Sequence, residues 1–108
     1  MGKKRRALEK DVLEYMQKYD LDHSATGFAF LIDAVKLLIN RNDLLQKRRI
    51  MPVYNLVAEK HDCKFSRVER AIRILLKKAE CGMKNSEFIF EAADDIRLQR
   101  MGKLEEPP

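Results

Sequence analysis

With 108 residues, 45% apolar and 36% charged, the chain matches one soluble globular domain, too apolar for disorder and too short for two sizeable cores. Its 22 Lys and Arg against 17 Asp and Glu leave a net charge of +5, which favours polyanionic partners without specifying one. The longest apolar run, residues 28–32, cannot span a bilayer, and the basic start leads into charged sequence rather than an apolar signal core, so a cytoplasmic protein is expected.

In chain order, Ala7, Leu8, Val12, Tyr15, Met16 and Tyr19 recur at three- and four-residue spacing and predict a helix over residues 5–19. A polar connection over 20–26 precedes residues 28–39, which are apolar except for Asp33 and Lys36 and predict a helix wrapped by the others. Asn40, Asn42 and Asp43 break that pattern, residues 43–46 suit a short helical turn, and Pro52 fits the first turn of a helix running to about residue 60. Val53, Leu56, Val57 and Ala58 supply its buried face.

After a tight connection over 61–65, a further helix is expected to about residue 80, with Ser66 as its N-cap and Gly82 placed to end it. A last helix over about 86–100, capped by Asn85 or Ser86, carries the stripe Phe88, Ile89, Ala92, Ala93 and Ile96. Residues 101–108 offer no buried face and are expected to form a flexible tail. The fold predicted is all-α: a single domain over 1–100, a compact bundle of about five helices with a helix-turn-helix at about 51–60 and 66–80.

The helix from Ser66 divides into two faces. On a helical wheel started at Arg67, Val68, Ala71, Ile72, Leu75, Leu76 and Ala79 fall between about 40° and 180°. Ser66, Glu69, Arg70, Arg73 and Lys77 fall between about 200° and 300°. One face closes on a core while the other is a cationic strip with one acid, concentrated in the turns that enter a DNA groove most deeply. Arginine can bond bidentately to guanine O6 and N7, and glutamate can accept from cytosine N4, so Arg67, Glu69 and Arg70 are candidate base readers. Ser66 and Glu69 also have the spacing of a capping box, and Arg70 and Arg73 are equally consistent with a solvated face. Ile74 falls on the polar arc, where a thymine methyl, a partner chain or plain solvent would each be acceptable neighbours.

The run Ser-Arg-Val-Glu-Arg-Ala-Ile-Arg at 66–73 closely resembles the recognition helix of the stage 0 sporulation protein A family. Asn-Ser-Glu-Phe-Ile at 85–89 with Ala-Asp-Asp-Ile-Arg-Leu at 93–98 is similar to its last helix, and residues 27–39 with Asp43-Leu44-Leu45 to its long second helix and following turn. The resemblance covers roughly residues 25–100 and implies an all-helical effector domain that binds short promoter boxes in double-stranded DNA, often with a second copy on a tandem site, and regulates transcription. By position it implies base contacts from Arg67, Glu69 and Arg70, with Ser66 and Arg73 nearer the DNA backbone. Family members carry a phosphorylated receiver domain, for which the residues before Asp20 are too few. They also carry a longer insertion, associated with contact to RNA polymerase sigma factor, where only residues 81–84 stand here, so repression by site occupancy or competition is expected. Phe65 is bulkier than the small residue expected before the cap.

Lys77 and the run Lys47, Arg48 and Arg49, just before the first helix of the motif, are further candidates for DNA-backbone contact. Two other classes of function compete: a helical protein-interaction module or antagonist, and a non-specific nucleic-acid binder in which Lys3, Lys4, Arg5 and Arg6 join the 47–49 run. No nucleophile and base pair or phosphate-binding glycine loop is present, and the adjacent Asp94 and Asp95 point to different sides of a helix, so no enzyme is expected. Cys63 and Cys81 read as reduced thiols, and His61 beside Cys63 lacks further ligands at zinc spacing, so neither metal nor cofactor is expected.

Overall fold

The structure, a computed structural model, describes residues 7–105, with side chains described to residue 102. Six helices form among them: α1 (Leu8–Met16), α2 (Thr26–Asn40), α3 (Asn42–Lys47), α4 (Ile50–Lys60), α5 (Phe65–Lys78) and α6 (Asn85–Glu105). The all-α expectation holds, and the helix beyond the five expected is α3, the turn foreseen near residue 43, which closes as a short element with Leu45 buried.

The apolar character of α2 has the expected cause, since it packs against each of the other five helices. Phe28, Phe30, Leu31, Ile32, Ala34, Val35 and Leu38 are all buried. Its two charges escape sideways: Lys36 Nζ reaches Glu9 at 2.9 Å on α1, and Asp33 meets Lys60 at 3.0 Å and His61 at 2.6 Å, at the end of α4. Burial acts to raise the Asp33 carboxyl, but hydrogen bonds from His61 and Lys60 outweigh it and hold the group below its ordinary value. The Tyr15 hydroxyl donates to Asp95 at 2.9 Å, and Arg100 pairs with the buried Asp11, so α1 and α6 are joined at two points. Asp94 points elsewhere, to Arg48 at 2.5 Å, as expected of neighbouring helical residues.

Several helix ends differ from expectation. The first helix stops at Met16, and residues 17–19 tighten into turns whose N–H groups bond three residues back; its expected start at Arg5 and Arg6 lies outside the described residues. Ser66 is not the N-cap of α5. The cap is Lys64, with extended backbone (φ −85°, ψ 152°), and Ser66 is the second residue inside the helix. The reason lies upstream, where α4 ends in a Schellman motif: Asp62 adopts φ 53°, its N–H bonds the Glu59 carbonyl at 3.2 Å, and the Cys63 N–H bonds that of Ala58 at 2.9 Å. That exit brings the chain back to extended geometry already at Lys64, so the next helix starts before the serine.

At the other end of α5 the left-handed residue that ends the helix is Glu80 (φ 54°), two positions before Gly82 (φ 73°). The cap of α6 is neither Asn85 nor Ser86. Instead the Lys84 N–H donates to Glu87 Oε1 at 2.9 Å, the return half of a capping box. The last helix continues to Glu105, past the expected end at Arg100; of the expected tail, residues 101–105 are helical and 106–108 lie outside the described residues.

Candidate nucleic-acid interface

The interface is built on α4, the turn at residues 61–64 and α5. Val53, Tyr54, Val57 and Ala58 bury one face of α4, and Val68, Ile72, Leu75 and Leu76 bury one face of α5, so the two helices pack together over the core. The orientation of α5 is set from a third side. Gly27, near the start of α2, lies so close to α5 that a Cβ added there would stand 2.3 Å from the Ala71 carbonyl oxygen. Only a residue without a side chain permits that approach. A fourth support is Asn85, a buried amide at the start of α6, which donates to the Tyr54 hydroxyl at 3.1 Å and the Glu69 carbonyl at 3.0 Å. Burial pushes the Tyr54 hydroxyl above its ordinary value, so it stays protonated in this bridge.

With its inner face closed, α5 exposes Ser66, Arg67, Arg70, Arg73 and Lys77, as the wheel predicts. Glu69 is half-buried and its carboxylate receives the Arg73 Nε at 3.1 Å, one turn on. This pairing replaces the capping-box role that Ser66 and Glu69 could have shared. Arg67 and Arg70 instead line a groove of about 620 Å³ together with Thr26 from α2 and Lys64 from the turn. On the opposite flank a groove of about 900 Å³ brings Arg73 and Lys77 beside Ile50, the first residue of α4.

The run before α4 separates into different environments. Lys47 and Arg49 are exposed, Arg49 being the N-cap position adjoining Ile50. Arg48 takes φ 57° at the end of α3 and turns to α6, pairing with Asp94 and lying 5.4 Å from the Phe90 ring centre. Three contributors to this surface escaped the sequence reading: Thr26 and Lys64, which the fold brings to the arginine groove, and Gly27. For Gly27 a signal existed, a glycine opening an apolar helix, which marks a close backbone approach. Thr26 and Lys64 carry no local signal.

Among the described residues, no group of three His, Cys, Asp or Glu could hold a metal ion, and no helix is long and apolar enough to cross a membrane. A pair of helices joined by a four-residue turn, closed on the core and presenting a cationic second helix, defines the class of helix-turn-helix DNA-binding domains. The family described as sporulation initiation factor Spo0A C terminal matches residues 12–92, most of the chain, and the chain belongs to that family. The family is a DNA-binding regulatory domain of transcription in sporulation rather than an enzyme family. A search of curated proteins finds no match.

Proposed function

We propose that the chain is a sequence-specific transcriptional regulator that lays α5 in the major groove of double-stranded DNA. The observation that carries this reading is the division of α5 into a buried apolar face and an exposed cationic one, with Arg67 and Arg70 on a common groove. Arg67, Glu69 and Arg70 read base edges, the arginines on guanine and Glu69 on the amino group of cytosine. Arg73 holds the Glu69 carboxylate in place and, with Ser66 and Lys77, faces the DNA backbone. Lys47 and Arg49 extend that backbone contact along the start of α4, while Arg48 joins them only by leaving Asp94. A second copy occupies an adjacent site where boxes are tandem. The short connection between α5 and α6 favours regulation by occupying the site, and strong activation of a reporter by this chain alone would contradict that mode.

Fluorescence anisotropy across a salt series tests the core of this reading, using a duplex obtained by random-site selection and its scrambled counterpart. Wild type is expected to prefer the selected duplex, and Arg70→Ala to remove that preference, a loss of about 1–3 kcal/mol, with little change in salt slope. Equal binding of both duplexes by wild type, with a steep salt dependence, would instead identify a non-specific polyanion binder.

A further inference from the structure

Ile74 is 43% exposed on a helix whose outward side chains, beyond its first residue, are otherwise hydroxyl-bearing or charged. It lines the same groove as Arg67 and Arg70, together with Ala71, Thr26 and Lys64. It also lines a second hollow of about 240 Å³, whose other residues include Asp20, Asp22 and Lys78. Ile74 therefore stands between a side rich in cations and a side carrying two acids. A phosphate backbone is attracted to the first and repelled by the second, so Ile74 lies at the border of the surface open to DNA.

The chemistry of the side chain narrows its neighbour further. An isoleucine offers no donor to a phosphate and none to a base heteroatom, and the one apolar group that the major groove presents is the 5-methyl of thymine. Building on the placement of α5 in that groove, we infer that Ile74 is a specificity-determining residue that packs on a thymine methyl at the edge of the recognised site. Seven residues separate it from Arg67, a rise of about 10 Å along the helix. That distance corresponds to about three base pairs, so the thymine lies about that far from the base pair that Arg67 contacts. Ala71 and the aliphatic part of Thr26 border the same groove and help exclude water from the contact.

The inference is tested on the selected duplex by replacing each thymine in turn with uracil, which removes the methyl and nothing else, and measuring affinity for wild type, Ile74→Ala and Arg70→Ala. Wild type should lose about fourfold at one thymine, the worth of one buried methyl. Ile74→Ala should bind the thymine and uracil forms of that position equally while still unfolding in one cooperative thermal transition, since the residue lies outside the buried core. If wild type is indifferent to every uracil, or Ile74→Ala keeps the same penalty, the inference is overturned, and Ile74 belongs to solvent or to a protein partner. Arg70→Ala separates that failure from failure of the functional reading. A variant that has lost sequence preference while uracil has no effect on wild type leaves α5 as the reading helix and removes only the role of Ile74. A variant with undiminished preference removes both.

Discussion

At Gly27 the backbones of α2 and α5 approach so closely that one methyl group would stand 2.3 Å from the Ala71 oxygen and 2.7 Å from its carbonyl carbon. The obstacle is backbone within a helix, which cannot swing aside as a flexible side chain would. Gly27→Ala is therefore expected to push α5 away from α2 and to destabilise the fold by about 1–3 kcal/mol, read as a lower denaturation midpoint at unchanged slope. Specific DNA affinity should fall as well, because the displaced element is the one that carries Arg67 and Arg70. Wild-type stability in this variant would mean that α5 is held mainly by α4 and the Asn85 bridge. That bridge is the polar counterpart of the glycine contact. One buried amide satisfies the Tyr54 hydroxyl and the Glu69 carbonyl, which fixes the start of α6 against both helices of the motif.

Among elements, the two helices after the motif's turn begin in ways that separate function from stability. Lys64 caps α5 with backbone geometry alone, and Ser66 makes no capping bond. Ser66→Ala should accordingly change the melting temperature little, within about 0.5 kcal/mol, while weakening DNA binding. Glu87 makes the return bond of a capping box, closing on the Lys84 N–H at the start of α6, where Glu69 of α5 turns to Arg73 instead. Glu87→Ala should lower stability by about 0.5–1 kcal/mol and leave sequence preference intact, since its carboxylate is engaged on the Lys84 N–H and it is none of the residues proposed to read a base. Thermal unfolding and anisotropy on the same two variants check both halves; a large stability loss from Ser66→Ala would restore the serine to a capping role.

For the whole molecule, α2 is the axis on which the other helices are arranged, and its charged residues tie it to the periphery. Asp33 links that axis to the end of α4, immediately before the turn of the motif. Its carboxyl is held below the ordinary value, so the folded state binds its proton less readily than the unfolded chain does. The stability this supplies is present above the unfolded value near pH 4 and is lost as the pH falls through the lower folded value. Asp43, held at about 2 by its paired Arg41, has the same sign, but full exposure leaves little stability in it. The melting temperature should thus fall as the pH drops below about 4, the unfolded value, and through the lower folded value of Asp33. Asp33→Asn should melt lower than wild type at pH 7 and lose less over the acid range; parallel curves for the two proteins would show that the acid sensitivity originates elsewhere.

Helix periods and faces were determined by local sequence alone. The apolar length of α2 and the two-sided pattern of α5 follow from side-chain spacing along a 3.6-residue turn, which any surroundings must respect. The resemblance at residues 66–73 rests on the same short-range pattern, and the family match bears it out. Tertiary structure decided what each charge and each helix end does. Ser66 fell inside α5 because the exit from α4 fixed the backbone of Lys64, and Glu69 turned to Arg73 in place of a cap. Arg48 was drawn from the basic run to Asp94, 46 residues away in the chain, and Asn85 became a bridge between helices. The physical reason is the range of the forces involved: burial periodicity is written within one helix. A buried amide, an ion pair or a backbone approach without a Cβ depends on groups that only folding brings together.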